Sequence, residues 1–411
     1  MESSEEADVG TSEPGLDDYR TVVRPGTIDM LRRLSERVRG RSLLNVSASR
    51  EVGGVAETLR GLVPLLDEVG VASTWETLED PGGSAAALTT RLHNALQGSE
   101  ERLPDDVLEE LRAFTRRQAA SLELGADVVL THDALPAGLV DARPPDGGWV
   151  WRCHLDVSHP QRRAWSFLRQ IVVKYDAAVF SLPAFAQRLP IRQFIIYPAI
   201  DPLSDKNRDL PAREVDAILE QLGVPRDKPI LLQVARFDRF KDPIGVIEAY
   251  RLVKRQHECR LVLVGGAESD DPEGIELSAD VREAASHDPD LHVLDLPPTA
   301  RLEVNALQRA ATIVFQKSTR EGFGLGVAEA MWKSKPVIAG FAGGLTAQVL
   351  YNVTGFTVNS VEGAAFRARQ LLADPELCRR LGAAGREHVR ENFIITRHLG
   401  DMLALMATLL A

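Results

Sequence analysis

Short apolar segments alternate with longer segments of helical periodicity along almost the whole chain. In the first half, apolar segments typical of buried strands lie at 42–47, 71–78, 126–131, 148–154 and 177–180. Around them, apolar residues at helical spacing predict helices over 28–38, 57–69, 85–97, 104–122 and 161–173. Because strands that alternate with helices form parallel sheets, this half of the chain is predicted to be α/β.

The same alternation begins again in the second half. Strands are predicted at 230–235, 260–264, 291–294, 312–315 and 336–338, with helices between them. The intervening stretch, 195–208, is rich in proline and charge, which is typical of an interdomain linker. We therefore predict two doubly wound, Rossmann-like domains with parallel sheets, over 23–203 and 204–390, that face each other across a cleft.

The first residues of the chain differ in composition from the rest. Seven acidic residues and no basic residue precede Arg20, and glycine, serine and proline lie among them. Such a segment has too little apolar surface to fold by itself, so a disordered acidic tail is predicted over 1–22.

Composition limits the classes of function. The 411 residues suffice for two domains, and 44% hydrophobic and 26% charged residues are globular values without an apolar run of membrane-spanning length. A net charge of -11 disfavours binding to nucleic acid or to anionic membranes. Three cysteines far apart, without metal-ligand spacing, and an N-terminus without a signal peptide indicate a soluble protein of a reducing cytoplasm.

The stretch 319–332 has the most distinctive pattern, because a glycine turn joins a buried strand to a helix. Gly322 and Gly324 allow a ligand to approach the backbone, and the free N–H groups at the start of the helix attract an anion or a polar oxygen. Glu321 lies in the turn and Glu329 in the helix. A carboxylate only accepts hydrogen bonds, so each glutamate suits a sugar with vicinal hydroxyls, although a solvated loop explains the pair equally well.

A second candidate site is formed by Arg236 and Lys241. Arg236 follows a predicted strand, and Asp242-Pro243 fits the N-cap and first turn of the next helix, so Lys241 precedes a helix N-terminus. The two cations and the helix dipole can hold a diphosphate without a metal. The acidic pairs at 288–290 and 270–271 lie in polar loops and are interpreted as turns, so no metal site is predicted.

The ends of two first-half strands carry polar residues. His132 and Asp133 follow one strand, and His154 and Asp156 follow the next. Because ligands bind beyond the carboxyl ends of parallel strands, these four side chains are predicted to point into one crevice. Gly53-Gly54 follows the first strand without the spacing of a dinucleotide-binding or P-loop motif, so a tight turn is its simpler interpretation.

Taken together, these motifs resemble the retaining GT-B glycosyltransferases of the glycogen synthase and sucrose-phosphate synthase type. The resemblance covers nearly the whole chain beyond the acidic tail, and the segments 93–98, 151–158 and 316–325 are more similar still to the trehalose glycosyltransferring synthases of that family. These enzymes join a nucleotide-activated glucose to free glucose. The resemblance implies such a donor and acceptor, no required cofactor, and a closing helix within 391–411 that crosses back onto the first domain.

The resemblance also assigns roles to individual residues. Arg236 and Lys241 would hold the donor diphosphate, Glu329 the ribose hydroxyls, and Gly53-Gly54 would close over the phosphate. The donor sugar would bind Glu321, His154 and the backbone of Gly322, Phe323, Gly324 and Leu325. The acceptor pocket would be lined by His132, Asp133, Arg152 and Asp156. The role of Gly343-Gly344 is left open, because the residues that follow depart from the family pattern.

Other functions stay open at this point. A glycosidase needs two carboxylates that span the scissile bond, and it is disfavoured because Glu321 and Glu329 belong to one turn and helix. A related transferase could use a sugar phosphate, glycerate or a lipid sugar as acceptor, and a catalytically silent nucleotide-sugar sensor could share these motifs. The nucleotide base and the oligomeric state, with a homodimer as one option, are also left open.

Overall fold

The computed structural model describes residues 14–51, 53–80, 84–100, 102–265 and 272–411. Its strands are β1 (Ser42–Ser47), β2 (Ala72–Thr77), β3 (Val128–His132), β4 (Gly148–Cys153), β5 (Ala177–Phe180), β6 (Arg192–Ile195), β7 (Ile230–Val234), β8 (Arg260–Val264), β9 (Leu291–Leu294), β10 (Ile313–Gln316), β11 (Val337–Gly340) and β12 (Gly355–Val358). Its helices are α1 (Thr27–Ser35), α2 (Gly53–Glu68), α3 (Ser84–Leu96), α4 (Asp105–Ala119), α5 (Arg162–Val172), α6 (Ala212–Gln221), α7 (Pro243–Lys254), α8 (Pro272–Ser286), α9 (Arg301–Ala310), α10 (Leu325–Trp332), α11 (Leu345–Gln348), α12 (Val361–Ala373), α13 (Pro375–Asn392) and α14 (Ile395–Leu409).

The strands form two sheets of six, and every pairing in both sheets is parallel. The first sheet has the order β2-β1-β3-β4-β5-β6, and the second has the order β12-β11-β10-β7-β8-β9. In each sheet the order reverses beside the first strand of the domain, β1 or β7. Ligands of doubly wound sheets bind beyond the strand ends at such a reversal, so the topology points to the ends of these strands. The predicted α/β class with two doubly wound domains is confirmed.

The predicted disorder over 1–22 is wrong for its last residues. Leu16–Thr21 forms a 3-10 helix, in which Leu16 and Tyr19 are buried. The Leu16 N–H donates to Glu68 at the end of α2, and the Tyr19 hydroxyl donates to Asp201. Two apolar side chains in the core are sufficient to order this short segment despite its acidic neighbours. Residues 1–13 of the predicted tail lie outside the described residues, as do 270–271.

The edges of the sheets hold elements that the hydrophobic pattern did not predict. Strand β6 overlaps the predicted linker only at its last residue. It is the outer strand of the first sheet, and its residues are exposed or half-buried. The outer strand β12 of the second sheet and helix α6 also escaped prediction. An edge strand needs no apolar face on its open side, so its sequence carries a weaker pattern.

Helix α14 contacts the first domain, as the resemblance implied. It packs against α1 and α2, and residues Leu399, Met402 and Met406 are buried there. Just before it, Ile394 pairs with Ile200, so the end of the chain returns beside the segment that joins the two sheets. In the described part of the chain, no helix combines the length and the apolar character needed to cross a membrane.

Candidate active site

The turn between β10 and α10 holds Glu321 in a fixed orientation. Its buried carboxylate accepts hydrogen bonds from Ser318 Oγ at 3.1 Å and from Gln316 Nε2 at 3.3 Å. Gly324 adopts the left-handed conformation with φ of +83° and caps α10, so the backbone of the turn passes directly into the N-terminus of that helix. The Phe323 ring points away and packs on Phe393, which leaves only its backbone for a ligand.

The Gly343-Gly344 loop supports this turn from behind. The Gly344 N–H donates to the Glu321 carbonyl at 3.1 Å, and Gln348 Nε2 donates to the Phe323 carbonyl at 2.6 Å. A Cβ at Gly343 would lie 1.8 Å from the Glu321 carbonyl oxygen, which excludes any side chain there. The structure thus gives this loop a supporting role that the sequence left open.

Lys241 is paired with Glu321. Its Nζ lies 2.6 Å from Glu321 Oε2, and both side chains are mostly buried. The two loops are tied further by a hydrogen bond of 2.8 Å from the Thr319 N–H to the Phe240 carbonyl. As predicted, Asp242 caps α7, because its carboxylate accepts from the Gly245 N–H and Pro243 occupies the first turn. Lys317, which the sequence did not single out, is ion-paired with the same Asp242.

Arg236 lies in the loop that follows β7. Its side chain is 58% exposed and lies 3.5 Å from Asp238. Burial and the positive charge of Arg236 lower the pKa of His93, on α3 of the first domain, to about 4. The charge of Arg236 therefore acts on a residue of the opposite domain.

Glu329 is buried within α10 and is ion-paired. Its Oε1 lies 3.0 Å from Lys206 Nζ, and its Oε2 accepts from Gln308 Nε2 at 3.3 Å. Lys206 also bonds Glu57 of α2 at 2.8 Å, so one ammonium joins the two domains. The sequence interpretation missed Lys206, because the charged stretch around it is typical of a solvated linker.

The glycine turns of the two domains meet head to head. A Cβ at Gly54, in the first turn of α2, would lie 3.0 Å from Leu325 Cδ1, in the first turn of α10. A Cβ at Gly322 would lie 2.2 Å from the His154 carbonyl oxygen. The N-termini of α2 and α10, together with the end of β4, therefore converge on one place between the domains.

His132 and His154 form a hydrogen-bonded pair at the ends of β3 and β4. Their Nδ1 and Nε2 atoms lie 3.0 Å apart, and His132 Nε2 lies 3.3 Å from Asn45 Oδ1. Burial lowers the pKa of both imidazoles well below the usual range, so both rings are neutral. Asn45 Oδ1 can only accept, so His132 donates from Nε2 and accepts at Nδ1 from His154. This leaves His154 Nδ1 as an acceptor for a hydroxyl.

Asp133 supports His154. It adopts a left-handed backbone with φ of +65°, and its carboxylate accepts from the His154 N–H at 2.7 Å. Burial raises the pKa of Asp133 to about 7. This carboxyl can therefore be protonated near neutrality, and a protonated carboxyl both donates and accepts hydrogen bonds, as a sugar hydroxyl requires.

Arg152, which the resemblance assigns to the acceptor pocket, contacts α14 instead. It is paired in register with His132, yet its Nη1 contacts His398 Nε2 of α14 at 3.0 Å and Met402 Sδ at 3.8 Å. His398 Nδ1 lies 3.0 Å from the Tyr197 carbonyl and donates to it, which makes Nε2 the acceptor for Arg152. Burial lowers the pKa of Arg152 to about 9. Among the described residues, no hydrogen bond or ion pair joins Arg152 to Asp156.

Asp156 faces the second domain. Its Oδ1 accepts from the Ser158 N–H and hydroxyl, and its Oδ2 lies 3.8 Å from Arg320, the residue before Glu321. The four predicted acceptor residues therefore divide into three groups: His132 with Asp133 at His154, Arg152 under α14, and Asp156 against Arg320. The first and third groups face the glycine turn of the other domain.

No metal site is evident in the described ranges, which contain no group of three or more histidine, cysteine or acidic side chains suited to a metal ion. Asp288 and Asp290 form a turn, as predicted, in which Asp288 accepts from the Asp290 N–H. Both carboxylates also pair with Lys254. Metal-independent chemistry stays a prediction.

Comparison with known proteins identifies the family. Residues 45–187 match the model of the trehalose synthase N-terminal domain, and residues 214–388 match that of the glycosyl transferases group 1. A trehalose synthase of Pyrococcus horikoshii is 40% identical over 96% of both chains. A trehalose synthase of Rubrobacter xylanophilus is 40% identical over 98% of this chain and 99% of its own.

Solved structures agree on the fold. A sucrose-phosphate synthase of Thermosynechococcus elongatus superposes with a TM-score of 0.70 at 22% identity, over 89% of this chain and 98% of its own. A trehalose-6-phosphate synthase superposes with a TM-score of 0.71 at 13% identity, over 89% of this chain and 98% of its own. At these identities the likeness supports the two-domain GT-B fold alone. With the sequence matches, the resemblance found from the motifs is confirmed, and the chain belongs to the trehalose synthase family of GT-B glycosyltransferases.

Proposed function

We propose that this protein transfers glucose from a nucleotide-glucose to free glucose, with retention of configuration, and forms α,α-trehalose. The observation that supports it best is the contact between Gly322 and the His154 carbonyl. This contact brings the turn assigned to the donor sugar against His154, which is assigned to the same sugar and which contacts the acceptor candidates His132 and Asp133. A sugar bound at the Glu321 turn would therefore lie beside the His132–His154 pair.

The donor half of the proposal rests on charge and on helix termini. Lys241 immediately precedes Asp242, the N-cap of α7, Arg236 lies earlier in the same loop, and the Glu321 turn leads into the N-terminus of α10. Helix N-termini and cations together favour a diphosphate. Lys241 is neutralised by Glu321 in this structure, so an arriving diphosphate would share that ammonium with the glutamate.

In the proposed reaction, the cations hold the leaving diphosphate on the face of the sugar that the acceptor hydroxyl attacks. The acceptor hydroxyl forms a new bond to the anomeric carbon as the bond from that carbon to the diphosphate oxygen breaks on the same face. The hydroxyl proton passes to the departing diphosphate, so no carboxylate nucleophile is needed. Arg236 and Lys241 stabilise the negative charge that grows on the leaving group. Neutral His154, with Nδ1 free to accept, orients a sugar hydroxyl.

The acceptor half rests on the polar groups around His154. Asp133 supplies a carboxyl with a pKa near neutrality, and Asp156 supplies a carboxylate that faces the donor turn. Both suit the hydroxyls of a neutral sugar better than a phosphate. Arg152, which could have received a phosphate, is held beneath α14 by His398.

The test is to incubate the protein with ADP-glucose or UDP-glucose and free glucose and to identify the disaccharide by NMR. α,α-Trehalose is expected. A β linkage would overturn retention, and a product formed only with glucose 6-phosphate or fructose 6-phosphate would overturn the acceptor. Trehalose formed from maltose or from glucose 1-phosphate, but not from either nucleotide-glucose, would overturn the donor. Nucleotide binding without any product would favour the sensor.

A further inference from the structure

Lys206 lies between two carboxylates that belong to different domains. Its Nζ is 2.8 Å from Glu57 Oε1, in the second turn of α2, and 3.0 Å from Glu329 Oε1 in α10. The Lys206 side chain is 20% exposed, whereas that of Glu329 is 1% exposed. A single ammonium therefore neutralises a deeply buried glutamate from one domain and a more exposed one from the other.

The segment that carries Lys206 is anchored to the second domain. Asn305 of α9 donates to the carbonyls of Asp205 and Arg208 at 2.8 and 2.9 Å, and Lys333 donates to Asn207 Oδ1 at 2.9 Å. Lys206 is thus fixed relative to Glu329 by its neighbours on both sides. Glu57 reaches it from the opposite domain.

The charges hold Lys206 in its protonated form. Burial by itself would lower the pKa of Lys206, but the negative charges of Glu329 and Glu57 outweigh this effect and raise that pKa above the ordinary value of lysine. The ammonium therefore persists at all physiological pH values. Lys206 therefore supplies the positive charge that compensates the buried carboxylate of Glu329.

The two carboxylate oxygens of Glu329 have different partners. Lys206 lies at ion-pair distance from Oε1, but no described residue donates an aligned hydrogen bond to this buried oxygen. Its partner oxygen, Oε2, already accepts from Gln308. Buried polar atoms are nearly always satisfied, and at Oε1 the ion pair with Lys206 takes this part, so the position of the carboxylate depends on Lys206.

We propose that Lys206 is a positioning residue, which holds the carboxylate of Glu329 in the orientation that meets the ribose hydroxyls of the donor nucleotide. The inference rests on the proposed function, because the ribose is part of the nucleotide-glucose donor. Lys206 itself does not touch the ribose in this scheme. Without it, the buried carboxylate of Glu329 would have no compensating cation and would leave this orientation.

The test compares ribose recognition between variants by calorimetric titration. The first probe is ADP or UDP, whichever binds the native protein more tightly. The second probe is the 2′,3′-dideoxy form of the same nucleotide. The native protein should prefer the ribonucleotide. Lys206→Met should reduce that preference by about tenfold or more, because a hydrogen bond to a charged group is lost, while dideoxynucleotide affinity changes little. If the methionine variant does not fold, Lys206→Gln is used instead, and it should show the same loss of ribose preference.

Two control variants separate positioning from general effects. Lys228 also bridges two carboxylates, Asp290 and Glu258, away from the site, so Lys228→Met should keep the ribose preference. Glu57→Gln removes the ion pair between Lys206 and the first domain, and this variant should also keep the ribose preference. In Glu329→Gln, which removes the charged acceptor, adding Lys206→Met should cause no further loss of preference.

The outcomes distinguish this inference from the proposed function. An unchanged ribose preference in Lys206→Met would overturn the inference and leave the donor assignment intact. A Glu57→Gln variant that reproduces the loss would also overturn it, since the link between domains would then be the cause. Failure of the native protein to bind any of these nucleotides would instead overturn the proposed donor.

Discussion

Lys241 Nζ lies 2.6 Å from Glu321 Oε2, so the ammonium assigned to the donor diphosphate is already neutralised by the carboxylate assigned to the donor sugar. Both groups are mostly buried, where screening by solvent is weak. A bound diphosphate and Glu321 must therefore compete for the same positive charge. This competition gives the two residues opposite effects on nucleotide binding.

Glu321→Gln is expected to bind free nucleoside diphosphate several-fold more tightly than the native protein. The substitution removes the negative charge that neutralises Lys241 but keeps the shape and an acceptor oxygen for Ser318. Turnover should fall, because the ionised acceptor for the donor sugar is lost. Calorimetry with ADP or UDP and steady-state kinetics measure the two effects. Weaker diphosphate binding in this variant would contradict the competition between Glu321 and the ligand.

Arg236→Ala and Lys241→Ala are each expected to reduce kcat by about 10²-fold, with little change in the KM for the acceptor. The charge that these cations meet grows as the diphosphate departs, and removal of one such preorganised stabiliser costs on that order. Arg239→Ala is the matched control, because this arginine lies in the same loop with its guanidinium over the Phe240 ring. Near-native turnover in either of the first two variants would remove that residue from the site.

Gly322→Ala should reduce kcat/KM at least tenfold, because its Cβ would lie 2.2 Å from the His154 carbonyl oxygen and would force the two domains apart. Displacement of reacting groups by about 1 Å can cost 10²-fold in rate. Gly326→Ala is the control in the same segment, since its Cβ would make an ordinary contact of 3.8 Å with the Val234 carbonyl. Equal activities of the two variants would show that this contact does not hold the catalytic arrangement.

The sequence predicted the parts of the site that depend on local pattern. The Glu321 turn, the Asp242 cap and the ends of β3 and β4 are each defined by glycine, proline or strand periodicity within a few residues. Their convergence followed from parallel topology, because carboxyl ends of strands share one edge. The buried strands were predicted closely from their apolar runs, whereas the exposed edge strand β6 was not predicted.

The sequence could not predict which partners these residues take across the cleft. Lys206 and Glu329 are 123 positions apart by their numbers, and Arg152 and His398 are joined only when α14 returns to the first domain. Neither pairing leaves a periodic signal, since one charged residue in a polar stretch looks like any other. The ordered segment at Leu16–Thr21 was missed for a related reason, because two buried side chains outweighed the acidic composition.

Lys333 gives a prediction for the pH dependence of stability. It is buried beneath Glu329 and donates to Asn207 Oδ1 and Gln308 Oε1 at 2.9 and 2.7 Å. Burial lowers the pKa of Lys333 from 10.5 to about 7, against the attraction of Glu329. Between these two values the unfolded chain binds the proton and the folded protein has released it, so this residue makes the free energy of unfolding rise with pH from about 7 to 10.5.

Lys333→Met removes that titration, so the native protein should gain stability relative to the variant as the pH is raised from 7 to 9.5. The variant should be destabilised at both pH values, because Asn207 and Gln308 lose their donor, but the difference should be larger at the higher pH. Urea denaturation at the two pH values measures both free energies of unfolding. Lys228→Met is the control. Hydrogen bonds to Asp290 and Glu258 raise the pKa of Lys228, whereas burial lowers that of Lys333. A difference between native protein and Lys333→Met that stays constant or shrinks toward pH 9.5 would mean that the buried lysine keeps its proton.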